Sequence, residues 1–591
     1  MNSSHDRTAR STAPDVSARQ SRVRHSLTLN PGPLDRDFVA STHAAAKAAA
    51  GLFRRDPSVW SSETPVQEAI ANRLGWLSSP LLMADSIERL EAFGAKVKAD
   101  GFEHVVLLGM GGSSLAPEVL RAVLGVSHGA PTFQVLDSTD PAALLSVNVP
   151  LAKSLFVIAS KSGTTIEPDS LAAYFGQDLV NAGIRRWADH FVAITDEGTA
   201  LASRAAAKGF RETFINPSDI GGRYSALSYF GLVPAALMGH DLAALIGWAL
   251  AMLAAADAHD EDAAPNPAVG LGAILGAAAL AGQDKLTLLL PVGLEPLGLW
   301  IEQLVAESTG KAGVGIVPIV GETPGGPTAY AGDRQFVQVR LSDMPDPTCD
   351  ATVAELRRNN APLAILEMQD LTALGAEFVR WEIATAVAGA MLGIDPFDQP
   401  NVQQAKDATG KLLSRYHFEG RLPEPVADQT TAEGVTLSMT ESAREALQGQ
   451  GADALLTLVG PGDYIAILAY LGPDPDLAAS LHAFRMSARD RTGAATTFGY
   501  GPRYLHSTGQ LHKGGPNTGV FVIVTADPRV DLPIPGKGTS FGTLELAQAL
   551  GDFASLDVAA RRALHVHLPV PERALLQPVL DGLLDRVDRS P

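Results

Sequence analysis

Residues 160–165, with the sequence SKSGTT, place four hydroxyls, one ammonium and one glycine in six consecutive positions. They follow an apolar run at 156–159, which predicts a buried parallel strand, and precede a predicted helix opened by Glu167. Backbone N–H groups at a helix N-terminus favour an anion, and hydroxyl and ammonium donors add to that preference. The pattern predicts a phosphate monoester site. A polar turn that only caps the helix is the alternative, since Ser and Thr are common caps.

A second loop between a strand and a helix has the sequence GMGGSS at 109–114 and follows the apolar run 104–108. It resembles a dinucleotide fingerprint, but Ser114 holds the third glycine position. We therefore interpret it as a second close-approach loop over the same ligand. Its candidate binding residues are Gly111, Gly112 and Ser113.

Arg223 follows two glycines in GGRYS at 221–225, and its forked donors suit a phosphate or an enediolate. A surface arginine on an ordinary turn is the alternative. Gln303 and Glu307 are four residues apart on a predicted helix and share one face, so Glu307 is a candidate base. The alternative is that Gln303 and Glu307 lie on a solvent-exposed face of the helix and have no catalytic role. Lys406 lies two helical turns after the predicted turn 395–400.

Two histidines, His506 and His512, lie in the glycine-rich segment PRYLHSTGQLHKGG at 502–515. A histidine in such a loop is a candidate general acid or base. A metal site is the weaker alternative, because no third ligand stands nearby in the sequence. We expect neither a metal nor a cofactor, and the sequence has no Walker A motif.

The elements that must position these residues alternate between strands and helices. This pattern predicts an α/β fold with two doubly wound parallel sheets and a further C-terminal α/β unit. We predict a disordered tail at 1–30, N-terminal helices with the first sheet at 31–260, the second sheet at 261–420 and the C-terminal unit at 421–591.

Composition narrows the partners of this 591-residue chain. A net charge of −19 argues against nucleic acid, and the single cysteine, Cys349, agrees with a reducing cytoplasm. The apolar stretch 229–256 is interrupted by Pro234, His240 and Asp241, so we predict buried helices and no membrane partner. Residues 1–30 lack the apolar core of a secretory signal.

Five motifs together resemble the sugar isomerase (SIS) domains of the phosphoglucose isomerase family. In the order that the family uses, they are GMGGSS at 109–114, SKSGTT at 160–165, GGRYS at 221–225, EQLVAESTGK at 302–311 and FDQPNVQQAK at 397–406. The resemblance covers residues 80–415. The C-terminal unit resembles that of the isomerase half of bifunctional transaldolase/phosphoglucose isomerases, but the chain has no room for a transaldolase barrel.

The resemblance implies an isomerase that interconverts glucose 6-phosphate and fructose 6-phosphate through a cis-enediol without a cofactor. Glu307 would move the proton, Arg223 would stabilise the enediolate, and Gln303 would contact the sugar. Lys406 with a histidine would open the ring. The implied 6-phosphate ligands are Ser160, Lys161, Ser162, Thr164 and Thr165. A homodimer is a candidate assembly.

The histidine departs from the common family order, because residues 312–397 contain no histidine. The family pattern His-x-x-x-Gln-Leu matches His506 with Gln510, so His506 is the predicted ring-opening residue and His512 a second, binding histidine. A non-catalytic phosphosugar-binding SIS module is the alternative function, and mannose 6-phosphate is a further candidate substrate. A binding module needs only the hydroxyl loop, whereas an isomerase also needs Glu307, Arg223 and Lys406.

Overall fold

The computed structural model describes residues 13–257, 266–326 and 329–587. An N-terminal segment of helices and one strand precedes the first sheet. Its elements are α1 (Ala13–Arg24), β1 (Leu27–Asn30), α2 (Asp35–Phe53), α3 (Thr64–Ala71), α4 (Ser79–Ala84) and α5 (Ile87–Ala99).

The first sheet is five-stranded and parallel, in the order β3-β2-β4-β5-β6. Its central strand is buried along its whole length, as the apolar run at 156–159 predicted. The elements are β2 (His104–Leu108), α6 (Leu115–Leu124), β3 (Thr132–Leu136), α7 (Pro141–Ser146), β4 (Ser154–Ala159), α8 (Ile166–Asn181), β5 (Phe191–Asp196), α9 (Ala200–Lys208) and β6 (Glu212–Asn216).

The second sheet has the order β1-β10-β9-β7-β8, in which only β1 is antiparallel to its neighbour. Its elements and the helices before it are α10 (Tyr229–Leu237), α11 (Leu242–Asp257), α12 (Val269–Leu280), β7 (Lys285–Leu289), α13 (Leu297–Thr309), β8 (Val317–Ile319), β9 (Arg334–Leu341), α14 (Pro347–Arg358), β10 (Leu363–Met368), α15 (Leu374–Met391) and α16 (Pro400–Glu419).

The third sheet has the order β11-β12-β16-β15-β13-β14. Its four parallel strands run second, first, third, fourth in chain order, as do the first four strands of the first sheet and the parallel strands of the second. The elements are β11 (Gln429–Thr430), β12 (Thr436–Met439), α17 (Glu441–Leu447), β13 (Tyr464–Tyr470), α18 (Pro475–Thr492), β14 (Ala495–Tyr500), α19 (Gly509–Gly514), β15 (Gly519–Ala526), α20 (Phe541–Val558), β16 (Arg562–Leu568) and α21 (Arg573–Val587).

The predicted α/β class, with parallel sheets, is confirmed. The first two sheets share one continuous apolar core with α11, α12 and α15, whereas the third sheet has a core of its own. A smaller cluster joins α8 of the first unit to α20 of the third. Among the described helices, none combines the length and hydropathy that crossing a bilayer requires. The predicted domain boundaries stay a prediction.

The prediction of a disordered tail over 1–30 is wrong for residues 13–30, which form α1 and β1. The Ser- and Arg-rich composition suggested a solvated segment, but Leu27 is buried and pairs with Leu366, so β1 covers the open edge of β10. Buried Ser26 also accepts a 2.7 Å hydrogen bond from Arg380. Residues 1–12, within the predicted tail, and 258–265, at the predicted boundary near residue 260, lie outside the described residues.

Candidate active site

The loop of residues 160–165 joins β4 to α8, and its shape depends on Gly163. Gly163 has a φ of +66°, and a Cβ there would lie 2.8 Å from the Cβ of Thr199. The hydroxyl of Ser160 donates to that of Thr165 over 3.0 Å, and the hydroxyls of Ser162 and Thr164 are also 3.0 Å apart. Glycine therefore lets the loop fold tightly at the helix N-terminus.

Three hydroxyls of this loop line a cavity of about 400 Å³ together with residues from the two other units. The predicted site residues on it, which we call the cavity wall, are Ser162, Thr164, Thr165, Lys406 and His506. The structure thus brings five predicted residues together across large sequence separations. Ser160 and Lys161 are not on this wall.

Lys161 faces a different partner from the one predicted. Its ammonium forms an ion pair with Asp196 and donates to the carbonyl oxygen of Ser218 over 2.9 Å. Burial raises the pKa of Asp196, and the Lys161 ammonium offsets part of that rise. Lys161 therefore stabilises a carboxylate behind the loop in this structure.

His506 lies in the short turn Arg503–His506 between β14 and α19 and contacts a carboxylate of the first unit. Its Nε2 is 3.0 Å from Oε1 of Glu167, which is only 2% exposed. Burial raises the pKa of Glu167, but the charge and hydrogen bond of His506 and the charge of Lys406 outweigh burial, so the pKa lies below its ordinary value. Glu167 is therefore an ionised carboxylate, and it pairs with the imidazole of His506.

Sequence reasoning missed Glu167 as a functional residue. Its only signal was its place in the first turn of a helix after a phosphate-type loop, where acidic residues also occur for helix-dipole reasons. The partner that gives Glu167 its role lies 339 positions away in the sequence.

Beside His506 lies a group of residues that we call the buried cluster: Arg223, Gln303, Glu307 and Ser308. The amide nitrogen of Gln303 donates to the main-chain oxygen of His506 over 2.7 Å and to the Glu307 carboxylate over 3.2 Å. The other Glu307 oxygen is 3.3 Å from Nη1 of Arg223. One side chain thus connects the candidate base to the histidine turn.

Arg223 uses its remaining donors on neighbouring protein groups. Its Nε donates to the Ser308 hydroxyl over 2.7 Å, and its Nη1 donates to Oε1 of Gln399 over 3.0 Å. Its Nη2 donates to the carbonyl oxygens of Pro396 and Asp398. Arg223 is 2% exposed, so the alternative of a surface arginine is wrong, and the residue holds the end of α13 against the turn that precedes α16.

Gly111 and Gly112 allow a close approach, as predicted for a ligand-binding loop. In this structure, however, they lie against the protein's own main chain and not against the cavity. A Cβ on Gly111 would lie 2.7 Å from the carbonyl oxygen of His506, and one on Gly112 would lie 2.0 Å from that of Gly222. Ser113 is buried in the same short turn. The loop therefore packs against the turns that carry His506 and Arg223. Gly111, Gly112 and Ser113 are not on the cavity wall.

His512 lies in the core of the third unit, away from the cavity. Its Nδ1 is 3.0 Å from the Tyr464 hydroxyl, and its ring stacks on Tyr464 and meets Phe521 edge-on. Burial lowers the pKa of His512 well below its ordinary value, so the ring is neutral. Over the ranges described, no cluster of three or more His, Cys, Asp or Glu side chains is arranged to hold a metal.

A larger cavity, of about 690 Å³, lies between β3 and the start of α18. It contains none of the predicted site residues. Its wall includes Arg503, which donates to Asp137 over 2.7 Å and begins the turn that carries His506.

Comparison with known proteins gives consistent matches. A family model described as phosphoglucose isomerase matches residues 83–330. A probable glucose-6-phosphate isomerase from Natronomonas pharaonis is 29% identical over 427 residues, covering 64% of this chain and 94% of that protein. A glucose-6-phosphate isomerase from Rubrobacter xylanophilus is 30% identical over 379 residues, covering 56% of this chain and 87% of that protein.

Among solved structures, a hypothetical protein from Thermus thermophilus matches with a TM-score of 0.54 and 24% identity, covering 66% of this chain and 99% of that one. That likeness concerns the fold alone. The family assignment comes from the sequence relatives, one of which is 30% identical and covered over most of its length. With the family's motifs gathered around one cavity and one buried cluster, this chain belongs to the phosphoglucose isomerase family.

Proposed function

We propose that this protein is an aldose–ketose isomerase that interconverts glucose 6-phosphate and fructose 6-phosphate by proton transfer between C1 and C2. The observation that carries the proposal is the bridge made by Gln303, whose amide contacts both the Glu307 carboxylate and the main chain of His506. Through this bridge, a single side chain connects the candidate base for the proton transfer to the candidate ring-opening histidine.

The hydroxyls of the cavity wall are assigned to the 6-phosphate. Ser162 and Thr164 are exposed at the N-terminal end of α8, where backbone N–H groups and the helix dipole favour an anion. Ser160 and Lys161 remain predicted ligands only if the loop rearranges around the substrate, because Lys161 is paired with Asp196. Lys406, exposed on the facing helix, supplies a positive charge to the same cavity.

The reaction divides between the two groups of residues. The pair of His506 and Glu167 donates a proton to the ring oxygen as the bond from the anomeric carbon to that oxygen breaks, and the anomeric hydroxyl releases its proton to solvent, which opens the sugar and exposes its carbonyl. In the aldose-to-ketose direction, Glu307 then takes the proton from C2 and returns it to C1. Arg223, 3.3 Å from Glu307, stabilises the negative charge on the enediolate oxygen.

A non-catalytic binding module would need the hydroxyl loop alone. A buried carboxylate paired with a fully bonded arginine is costly to desolvate, and phosphate binding does not require it. The pairing of Glu307 with Arg223 therefore favours an enzyme.

A coupled assay of fructose 6-phosphate conversion on the purified protein tests the proposal. We expect turnover with wild-type protein, without added metal, and its loss in the Glu307→Gln variant. Phosphosugar binding without turnover would support the binding module. Mannose 6-phosphate belongs in the same assay, because the predicted contacts of the cavity wall are with the phosphate and hydroxyls that both sugars carry.

We also propose a cytoplasmic location, supported by the lone cysteine, Cys349, which is buried and free. The homodimer stays a prediction, and sedimentation of the purified protein tests it.

A further inference from the structure

The third unit contributes a second side chain to the carboxylate–histidine pair. Gln548, on α20 and 3% exposed, donates from its amide nitrogen to Oε1 of Glu167 over 2.6 Å. The same oxygen is 3.0 Å from Nε2 of His506. The amide oxygen of Gln548 accepts from the fully buried hydroxyl of Thr139 over 2.9 Å. An ionised carboxylate can only accept, so Gln548 must turn its NH₂ group towards Glu167.

We propose that Gln548 is a positioning residue for ring opening, which holds the Glu167 carboxylate ionised and aimed at Nε2 of His506. This inference rests on the proposed function. With Nε2 held as the donor to Glu167, the imidazole keeps Nδ1 as the nitrogen that exchanges a proton with the sugar ring oxygen. Gln548 acts through Glu167 and needs no contact with the substrate.

Glu167 depends on this support because it is buried. Its second oxygen, Oε2, is buried without a hydrogen-bond partner among the residues that the structure describes. Burial alone favours the neutral acid, which would donate a proton to the imidazole and reverse its tautomer. The other titratable groups that face Glu167 are His506, Lys406 and Tyr470. Of these, His506 alone is also a hydrogen-bond partner of Oε1.

The position of Gln548 is fixed by the packing of α20 on α16. A Cβ on Gly551, one turn after Gln548, would lie 2.9 Å from Oγ1 of Thr409, one turn after Lys406. Glycine is required for the two helices to approach this closely. The same contact therefore sets where Gln548 and Lys406 stand relative to the cavity.

The test compares Gln548→Met, which removes the donor at similar length, with Gln548→Glu, which places a second carboxyl beside Glu167. For Gln548→Met we expect kcat on cyclic substrate to fall about tenfold, with KM within about twofold and an unchanged rate on an acyclic analogue. Loss of a hydrogen bond to the carboxylate raises its pKa, so the acidic limb of the pH profile should move upward, and further for Gln548→Glu. An unmoved acidic limb in both folded variants would overturn the proposal.

Gln335→Met is the matched control. Gln335 is also a buried amide and donates to the carbonyl oxygens of Leu275 and Gln283, far from the site in the second unit. We expect it to lower the melting temperature without moving the pH profile. If Gln548→Met does not fold, Thr139→Val is the substitute. It keeps the Gln548 amide but removes the hydroxyl that orients it, so we expect a smaller upward shift of the acidic limb of the pH profile.

A readout independent of turnover separates this proposal from the proposed function. At a pH where the His506 ring is neutral, its ¹⁵N shifts should report an Nε2–H tautomer in the wild-type protein and a mixture in Gln548→Met. An inactive wild-type enzyme with the expected tautomer change would contradict the isomerase proposal and retain the positioning role. An active wild-type enzyme whose tautomer is unchanged in the variant would overturn the positioning role alone.

Discussion

The buried cluster and the cavity wall lie next to each other but are built on opposite principles. In the buried cluster, Arg223 and Glu307 are nearly inaccessible and bonded to each other and to neighbouring groups. On the cavity wall, Ser162, Thr164 and Lys406 are exposed. The first is assembled by folding, while the second leaves its donors available for an incoming anion.

This difference separates what each group can do. A buried base keeps its geometry before the substrate arrives, which favours catalysis because no reorganisation is needed at the moment of reaction. Exposed hydroxyls contribute binding energy when an anion is bound, and they hydrogen-bond to water when it is absent. Substitutions in the buried cluster should therefore lower kcat, whereas substitutions on the hydroxyl loop should raise KM.

The largest expected effect is that of Glu307→Gln. The swap keeps the shape but removes the proton acceptor, so kcat should fall by about 10²–10⁴ with little change in KM. Glu302→Gln is the matched control on the same helix, since Glu302 is buried outside both groups, and it should retain activity. Wild-type turnover in deuterated water should label C2 of the product glucose 6-phosphate. Near-normal kcat for Glu307→Gln would remove the base assignment.

The second prediction compares substitutions of the two histidines, one on the cavity wall and one in the core of the third unit. We expect His506→Ala to slow turnover of cyclic substrate by about 10², and to affect an acyclic analogue much less, because the acid–base group for ring opening is lost. His512→Ala should mainly lower thermal stability, since it removes a buried ring that packs on Tyr464 and Phe521. A reversed ranking on cyclic substrate would exchange the two roles.

A third prediction concerns Glu302, a buried carboxyl that lies outside both groups. Burial raises the pKa of Glu302 to about 8, while the charges of Arg485 and Arg503 partly oppose it. The folded state therefore holds this proton up to about pH 8, whereas the unfolded chain releases it near its ordinary pKa of 4.5, so stability falls as pH rises between these values. Glu302→Gln cannot ionise, so it should gain on the order of 3–5 kcal/mol over wild type by pH 8.

Denaturant unfolding of both proteins at pH 5, 6.5 and 8 measures this difference. The stability advantage of Glu302→Gln over wild type should grow from pH 5 to pH 8. A difference that does not change with pH would mean that Glu302 does not hold a proton in the folded state.

The smallest expected effect separates two residues of the hydroxyl loop. Thr164→Val should raise KM about tenfold, because it removes one hydrogen bond to a charged phosphate. Lys161→Met should change KM less and lower stability, since it leaves the Asp196 carboxylate without its ion-pair partner. Substrate titrations and thermal melts of both variants measure the two effects. A larger rise in KM for Lys161→Met would mean that the lysine leaves Asp196 when the substrate binds.

Much of the fold was predictable from local sequence. The apolar runs at 104–108 and 156–159 fall within β2 and β4, because a strand buried on both faces needs continuous apolar residues. The order of the three sheets was not predictable, nor was the use of β1 at the edge of the second sheet, because period and composition do not specify which strands pair. Leu27 and Leu29 gave only a short apolar alternation in a segment otherwise typical of disorder.

For the candidate site, the sequence by itself determined which side chains could do chemistry and which loops carry them. Only the tertiary structure decided which side chains meet. Lys161 pairs with Asp196, and Glu167 meets both His506 and Gln548 from a unit more than 300 residues away. His506 and His512 are six positions apart, yet one reaches the cavity and the other lies in a core. The physical reason is that spacing fixes the direction of a side chain within its own turn or helix, while its partner depends on how distant units pack.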